Sequence, residues 1–312
     1  MTSSKSTPKV WAILTTLILI LLLASVLVAR TYRERQVIKP DFNGSRALGD
    51  VEYQVNLGPR TPDSEAHAKT VDWILEEVKA AGWQAEVQET EMMGHTIRNI
   101  VARMGEGQPW VIVGAHYDSR LLADHDPFEE KRSQPVPGAN DGASGVAVLL
   151  ELARVLPSRL QDPALADSLK ARQVWLVFFD AEDNGRIPSW DWILGSRAFV
   201  AGLQEYPQAA VVVDMIGDAD LNIYQERNSS PALVDEIWNQ AAELGFSSQF
   251  IPEYKHSILD DHKPFLDAGI PAVDLIDFDY PYWHTTMDTT DKVSAESLQI
   301  VGNVLLAWLT GK

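Results

Sequence analysis

Residues 174–186 have the sequence VWLVFFDAEDNGR, which joins a strand pattern to a cluster of acids. The apolar run at 174–179 is rich in β-branched and aromatic side chains and predicts a buried strand. Three acids follow it within four positions: Asp180, Glu182 and Asp183. Buried carboxylates repel one another and are costly to remove from water, so this strand end requires a compensating group.

Strands and helices alternate on both sides of this stretch. Continuous apolar segments predict strands over residues 110–118, 173–180, 209–218 and 270–276. Helical spacing of apolar residues predicts helices over residues 61–83, 142–156, 193–203, 231–245 and 294–309, the last with Ser294 as its N-cap. Strands that are apolar throughout and separated by helices indicate a sheet covered on both faces, and hence one α/β domain.

The first 44 residues differ in composition from the rest. Residues 10–29 are twenty consecutive positions without a charge, which is long enough to cross a bilayer as a helix. The predicted organisation is a tail (1–9), a transmembrane anchor or signal (10–29), a polar tether (30–44) and an α/β domain (45–312). An uncleaved single-pass anchor would hold the domain at the membrane on its extracytoplasmic side, whereas a cleaved signal would leave it secreted or periplasmic.

The net charge limits the choice of partners. The chain has 26 basic and 44 acidic residues, a formal charge of −18. Five of the basic residues and one of the acids precede position 37, which leaves the remainder with a net charge of −22. Such a domain lacks the basic surface that nucleic-acid binding needs, so no nucleic-acid partner is expected. Because the chain contains no cysteine, any metal must be held by His, Asp and Glu.

Candidate metal ligands and catalytic acids follow nearly every predicted strand. Each alone has an ordinary structural explanation, since an Asp before a helix, for example, is usually an N-cap. Ligand sites in open α/β sheets lie beyond the carboxyl ends of the strands, so these residues should converge on one edge, where like charges need a cation. Imidazole and carboxylate ligands favour zinc. The candidates are His116, Asp118, Asp141, Asp180, Glu182, Asp183, Asp214, Asp218, Asp260, Asp261, His262, His284 and Asp288.

The motifs around these residues, taken in chain order, resemble those of the zinc-dependent aminopeptidase superfamily. They are HYDS (116–119), GANDGASGVAVLLELAR (138–154), FFDAED (178–183), GSR (195–197), DMIGD (214–218), DDHKPFLDAGIPAV (260–273) and WHTTMDT (283–289). Within that superfamily they most resemble the animal-type glutaminyl cyclases (glutaminyl-peptide cyclotransferases) and their bacterial relatives. The resemblance implies a single three-layer domain with a mixed, mostly parallel sheet flanked by helices, of the zinc exopeptidase kind.

Carried over position by position, the resemblance implies one catalytic zinc ion per chain. Its ligands would be Asp141, Asp183 and His284. Three protein ligands leave one position open, as catalytic zinc sites require. The family usually has glutamate at the position of Asp183, so here the carboxylate is one methylene shorter and the metal would lie closer to the backbone.

The resemblance also implies the roles of the neighbouring residues. Glu182 would shuttle the proton, Asp214 and Asp260 would be supporting catalytic acids, and Trp283 would form a wall of the substrate pocket. Neighbouring side chains on an extended chain point to opposite sides, so Asp183 can bind the metal while Glu182 faces the reacting atoms. The compensating group for the acids at this strand end would therefore be the zinc ion.

A cyclase of this kind converts the N-terminal glutamine of peptides or proteins to pyroglutamate and releases ammonia. Zinc would polarise the side-chain amide, and Glu182 would move the proton from the α-amine to the departing ammonia. Trp190 and Trp192 lie in the stretch between Asp183 and the GSR motif and resemble the aromatic loop that narrows a cyclase pocket. The alternative for these tryptophans is packing against neighbouring loops.

Two other functions fit the same sequence. In a dinuclear zinc aminopeptidase, Glu182 would activate a water molecule that hydrolyses the first peptide bond. The ligands would then be His116 and Asp214 for one ion, Asp183 and His284 for the other, and Asp141 for both. A membrane-anchored binding domain without catalysis is the remaining alternative, and the intact set of candidate ligands argues against it.

Overall fold

A six-stranded mixed sheet lies at the centre of the described chain. The computed structural model describes residues 42–160, 162, 165–167 and 169–311. The sheet has the strand order β1-β2-β4-β3-β5-β8, and β6 pairs with β7 in a separate two-stranded sheet. The strands are β1 (Gln84–Met92), β2 (His95–Gly105), β3 (Trp110–His116), β4 (Gln173–Phe179), β5 (Ala209–Asp214), β6 (Ile223–Gln225), β7 (Phe250–Tyr254) and β8 (Ala272–Ile276).

Helices lie on both faces of the large sheet. They are α1 (Gly44–Leu57), α2 (Glu65–Ala80), α3 (Ala143–Leu160), α4 (Leu194–Ala201), α5 (Pro231–Glu243), α6 (Lys263–Asp267) and α7 (Ala295–Thr310). The four predicted strands correspond to β3, β4, β5 and β8, and the five predicted helices to α2, α3, α4, α5 and α7. Ser294 caps α7 as predicted, because its hydroxyl accepts hydrogen bonds from the backbone N–H groups of Glu296 and Ser297.

The pairing of the strands confirms a mixed, mostly parallel sheet. Strands β4, β3, β5 and β8 run parallel to one another. The β1–β2 hairpin joins them through an antiparallel pairing of β2 with β4. Parallel strands place their carboxyl ends at one edge, so the loops that follow β3, β4, β5 and β8 meet there.

Alternate residues of the central strands face two separate layers of helices. In β3, Val111 and Val113 pack into the core beneath α1, α2, α3, α5 and α7, while Ile112 packs beneath α4 and α6. In β4, Leu176 packs into the same core as Val111, and Val177 packs into the same core as Ile112. Every residue of β3 and β5 is buried, which explains why these strands are apolar up to their last residues, His116 and Asp214. The three-layer arrangement is therefore confirmed.

Helix α1, the β1–β2 hairpin and the short elements β6, β7 and α6 lie where the sequence predicts none. Helix α1 begins at Gly44, the last residue of the predicted tether, and packs against α3 and α7. It is capped by Asn43, whose side-chain oxygen accepts a hydrogen bond from the backbone N–H of Arg46. The β1–β2 hairpin turns through Met93 and Gly94, both of which have positive φ.

The predicted tail, the apolar segment 10–29 and most of the tether lie outside the described residues. Among the helices that the structure describes, none is long and apolar enough to cross a membrane. An anchor at residues 10–29 stays a prediction from the sequence.

Candidate active site

Polar side chains collect at the carboxyl edge of the parallel strands. His116 is the last residue of β3 and Asp214 the last of β5. Glu182 and Asp183 follow the end of β4, and Asp141 lies two residues before α3. All five are buried. The edge therefore carries the concentration of imidazole and carboxylate groups that the strand ends predict.

One group of possible metal ligands consists of Asp141, Asp183 and His284. A ligand atom from each lies within 4.8 Å of those of the other two. His284 Nε2 is 2.7 Å from Asp183 Oδ1 and 3.8 Å from Asp141 Oδ2. These are the three residues that the resemblance implies as zinc ligands.

A second group shares Asp141 with the first. It contains His116, Asp141 and Asp214, again with ligand atoms within 4.8 Å of one another. His116 Nε2 lies 3.1 Å from Asp214 Oδ1 and 3.2 Å from Asp141 Oδ1. The two carboxylate oxygens of Asp141 thus face different histidines, the arrangement that a carboxylate bridging two metal ions requires.

The donor atoms of both groups fit a bound cation. Asp141 Oδ2 and Asp183 Oδ2 are buried side-chain oxygens that have no hydrogen-bond partner. Buried polar atoms without a partner are costly, and carboxylates this close repel one another. The chain offers nitrogen and oxygen ligands only, which suits zinc.

Burial shifts the pKa values of these groups in directions that agree with a metal site. Burial raises the pKa of Glu182 well above its usual range, and the charge of Asp183 raises it further. Burial likewise raises the pKa of Asp214 to about 7. It lowers the pKa of His284 to about 3, so this imidazole is neutral, as a metal ligand must be.

Neighbouring side chains hold the ligands in place. Asp288 accepts hydrogen bonds from the backbone N–H groups of Asn140 (2.9 Å) and Asp141 (3.2 Å). The buried guanidinium of Arg120 donates to the carbonyl oxygens of Asp183 (2.8 Å) and Gly185 (3.2 Å). Asp288 was a candidate ligand in the sequence, but its carboxylate positions Asp141 instead. Arg120 also pairs with Asp124, four residues further on, at 2.7 Å. The sequence gives no signal for its contacts with the distant loop, because these are made to backbone atoms.

Asp180, one of the candidate acids, has a structural role. Its carboxylate lies 2.7 Å from His67 Nε2 and accepts a hydrogen bond from the backbone N–H of Arg98 at 2.7 Å. It therefore ties the end of β4 to α2 and β2. Of the three acids after this strand, only Glu182 and Asp183 face the cavity at the sheet edge.

Three residues that belong to the candidate ligands and acids or directly adjoin them have a left-handed backbone, although none is glycine. They are Ala181 (φ 48°), Met215 (φ 47°) and His284 (φ 56°). Ala181 precedes Glu182, and Met215 follows Asp214. Such backbones cost of order 1 kcal/mol each and are concentrated at functional sites, where they direct particular side chains.

A cavity of about 260 Å³ opens above the candidate metal ligands. Its base is formed by buried acids, and its walls by aromatic and aliphatic side chains. The lining residues are Asp141, Glu182, Asp183, Arg186, Trp192, Asp214, Met215, Ser257, Ile258, Leu259, Asp260, Ile276, Phe278 and Trp283. Six of the seven site residues predicted from the sequence line this cavity, and the seventh, His284, is hydrogen-bonded to one of them.

The tryptophans near the site have different surroundings. Trp283 lies against the His284 ring, with centroids 3.8 Å apart. Trp192 lines the cavity and stacks beside His284 at 6.0 Å. Trp190 instead stacks on His95 at 3.6 Å and packs in a small core away from the cavity. Of the two loop tryptophans predicted to narrow the pocket, Trp192 therefore lines the cavity, whereas Trp190 packs against neighbouring loops.

A second buried polar cluster lies beside Asp260. His262 lies between Glu226 (Nε2 to Oε2, 3.4 Å) and Asp274 (Nδ1 to Oδ2, 3.6 Å). Burial and the charge of Asp260 raise the pKa of Asp274 well above its usual range. The sequence motif containing Asp261 and His262 pointed to this region, but Glu226 and Asp274 lie in segments without a motif.

Comparison with known proteins identifies the family of this chain. The model of peptidase family M28 matches residues 99–309. The chain belongs to peptidase family M28. Its structure resembles that of a Zn-dependent exopeptidase from Parabacteroides distasonis, with a TM-score of 0.80 and 30% sequence identity, covering 88% of this chain and 100% of that one.

Other M28 relatives include glutaminyl cyclases. The crystal structure of Tannerella forsythia glutaminyl cyclase matches with a TM-score of 0.78 and 32% identity, covering 88% of this chain and 100% of that one. The glutaminyl-peptide cyclotransferase of Bos taurus is 24% identical over 263 residues, which is 75% of this chain and 70% of the relative. The resemblance to zinc exopeptidases and to bacterial and animal glutaminyl cyclases is thus confirmed, and with it the zinc exopeptidase-like fold.

Proposed function

We propose that this M28 enzyme is a glutaminyl-peptide cyclotransferase, which converts the N-terminal glutamine of peptides or proteins to pyroglutamate and releases ammonia. The observation that carries the proposal is the position of Trp192. A Cβ atom on Gly185 would lie only 2.1 Å from the Trp192 ring, so the glycine lets the ring lie flat against the loop and line the cavity. The remaining volume of about 260 Å³ lies just below the usual range for ligand pockets, which starts at about 300 Å³, and this small size suits a single side chain.

Asp141, Asp183 and His284 would hold the zinc ion. When bound, zinc polarises the side-chain carbonyl of the glutamine and makes its carbon susceptible to attack. Trp283 and Trp192 would enclose the glutamine side chain between aromatic faces and exclude water from the reacting atoms. Excluding water matters here because hydrolysis of the same amide would yield glutamate.

Glu182 would transfer the proton. Its carboxyl group is buried and faces the cavity, and burial raises its pKa, which favours a role in proton transfer. The α-amine of the substrate forms a new C–N bond to the side-chain carbonyl carbon as Glu182 removes a proton from that amine. The bond to the amide nitrogen then breaks, and Glu182 returns the proton to the departing ammonia.

Asp214 and Asp260 would orient the substrate. Both line the cavity beside Glu182 and are buried. A carboxylate accepts hydrogen bonds from an amine or an amide nitrogen, so these two acids can hold the α-amine and the leaving nitrogen in position. Correct orientation matters because the reaction joins two groups of one residue.

A dinuclear aminopeptidase is the second candidate, and a specific observation favours it. The group formed by His116, Asp141 and Asp214 is a complete second ligand set. In that case Glu182 would activate a water molecule for hydrolysis of the first peptide bond.

The product distinguishes the two reactions. We would incubate the purified full-length protein with a peptide that carries an N-terminal glutamine, follow the products by mass spectrometry and count zinc in the same sample. The proposal expects loss of ammonia from an otherwise intact peptide, with about one zinc ion per chain. Release of a free amino acid, with about two metal ions per chain, would instead identify an aminopeptidase. An absence of both products across several N-terminal residues would favour a binding domain.

A further inference from the structure

The rim of the cavity carries a single positive charge. Of the residues that line it, five are buried acids at the base, and Arg186 is the only basic one. Arg186 is exposed and lies at the mouth together with Ser257 and Leu259, which are also exposed. In a domain with a net charge of −22, this places one guanidinium directly where a substrate enters.

The charge of Arg186 is available to a ligand. Among the described residues, no hydrogen bond or ion pair involves its side chain, and neither Glu182 nor Asp183 lies within 4.0 Å of it as a salt-bridge partner. Arg197, a few residues further on, is by contrast paired with Asp191 at 2.8 Å. An unpaired guanidinium beside a pocket offers two parallel N–H donors to a planar carboxylate.

The loop that carries Arg186 is held in one conformation. Arg120 binds the carbonyl oxygen of Gly185, the preceding residue, and Trp192 covers that glycine. Arg186 itself has a left-handed backbone, with φ of 64°. Because this backbone is unfavourable for a residue with a side chain, its position depends on the contacts of the surrounding loop. The contacts of the loop therefore fix the backbone from which the Arg186 side chain extends.

The depth of the cavity determines which part of a substrate reaches Arg186. The reacting groups of the first residue must lie at the base, beside Glu182 and the metal ligands. The chain then leaves through the mouth, so the second residue of the substrate lies at the rim. We propose that Arg186 selects substrates with a carboxylate at the second residue, either an acidic side chain or the C-terminal carboxylate of a dipeptide. This inference rests on the proposed action at peptide N-termini and adds the class of peptide.

The test compares kcat/KM for matched peptides in the wild type and in Arg186→Gln. The peptides are Gln-Ala amide, Gln-Glu amide, Gln-Lys amide and the dipeptide Gln-Ala with a free carboxylate. We expect the wild type to prefer each acidic peptide over Gln-Ala amide by about 3- to 10-fold at low ionic strength, because the pair is partly exposed. The preference should disappear in Arg186→Gln and decline in the wild type as salt screens the charges. Gln-Glu amide tests the side-chain carboxylate of the second residue, and the free dipeptide Gln-Ala tests the C-terminal carboxylate.

Arg172→Gln is the matched control. Arg172 is exposed and directly precedes β4, whereas the site follows the other end of that strand. Removing its charge changes the net charge equally and should leave the preference intact. Equal kcat/KM values for acidic and neutral peptides in the wild type, or a preference that survives in Arg186→Gln, would overturn the inference.

The outcome can be separated from that of the proposed function. If the products show hydrolysis instead of cyclisation, the same ratios of kcat/KM test Arg186, since the second residue lies at the rim in either reaction. If neither reaction occurs, titration of tryptophan fluorescence with the same peptides gives the ratio of affinities. Equal affinities of the wild type for the acidic and neutral peptides would then reject the role of Arg186.

Discussion

The carboxylate of Asp118 accepts a hydrogen bond from the backbone N–H of Glu182, with an N···O distance of 3.0 Å. Its other oxygen accepts from the backbone N–H of Asp183 and from the side-chain amide of Asn184, at 3.3 and 3.2 Å. One buried acid after β3 thus fixes the strand end that carries both the proposed proton shuttle and a proposed metal ligand. His116 Nδ1 lies 3.4 Å from the same carboxylate, so Asp118 connects both ligand groups.

Replacing Asp118 tests this arrangement. Asp118→Asn keeps one acceptor oxygen and loses the other, so we expect kcat to fall by about 10- to 100-fold while the protein stays folded. Steady-state kinetics and circular dichroism measure the two effects. Asp235→Asn, on the exposed side of α5, is the control and should be neutral. Wild-type kcat in Asp118→Asn would show that the strand end is held without this acid.

Glu182→Gln removes the proposed proton shuttle and keeps the shape of the side chain. We expect kcat to fall by about 100- to 10,000-fold, because an amide cannot accept the proton from the α-amine. The zinc content and the melting temperature should stay close to those of the wild type, since Glu182 is not a proposed ligand. Near-normal turnover in this variant would remove Glu182 from the mechanism.

His284→Ala tests the metal ligands. The imidazole lies 2.7 Å from Asp183 and completes the first ligand group, so we expect zinc to fall from about one ion per chain to a small fraction of that after dialysis. Atomic absorption on the dialysed protein measures this. His256→Ala is the matched control, because His256 lies outside both groups and pairs with Asp279. Stoichiometric zinc in His284→Ala would contradict the assignment.

Trp283→Ala separates substrate binding from metal binding. Trp283 lines the cavity and lies against the ring of His284 without offering a ligand atom. We expect KM to rise about tenfold, since an aromatic wall contributes about 1 to 2 kcal/mol, while zinc content changes little. Trp73→Ala is the control, because the Trp73 ring packs against Tyr53 away from the cavity, and it should leave KM unchanged. An unaltered KM in Trp283→Ala would indicate a packing role only.

The sequence predicts the four parallel strands well and the β1–β2 hairpin poorly. Strand β3 is apolar up to its last residue, His116, because helices cover both of its faces. Edge strand β1 has no buried residue, so neither an apolar run nor a clear alternation marks it. The hairpin turn places Met93 at a position of positive φ that asparagine, aspartate or glycine usually occupies, and so gives no turn signal.

The candidate site could be assembled from the sequence because its residues follow strands whose ends must meet. Asp141, Glu182 and Asp214 are examples, and all three line the cavity. Arg120 and Glu226 could not be found in this way. Arg120 donates to the carbonyl oxygens of Asp183 and Gly185, and Glu226 accepts from the backbone N–H of Ile258. The sequence does not indicate that these distant loops lie beside the two side chains.

Glu226 gives a prediction about stability in acid. Its buried carboxylate accepts hydrogen bonds from the backbone N–H groups of Asn228, Ser229 and Ile258, each at 2.8 or 2.9 Å. Burial alone would raise the pKa of Glu226, but the His262 side chain and these backbone donors together lower it to about 2. A lowered pKa in the folded state contributes stability that is fully present above the unfolded pKa of about 4.5 and is lost as the pH falls towards 2.

Glu226→Gln should therefore lower the free energy of unfolding at pH 7 by up to about 3 kcal/mol, because a neutral amide cannot match the carboxylate as an acceptor of these hydrogen bonds. The difference from the wild type should shrink between pH 4.5 and pH 2, where the wild-type carboxylate becomes protonated. Urea unfolding at several pH values, with a chelator present so that loss of metal does not contribute, measures this difference. Glu243→Gln, an exposed acid at the end of α5, should show no such pH dependence. A difference that stays constant from pH 7 to pH 3 would mean that Glu226 contributes through packing and not through its charge.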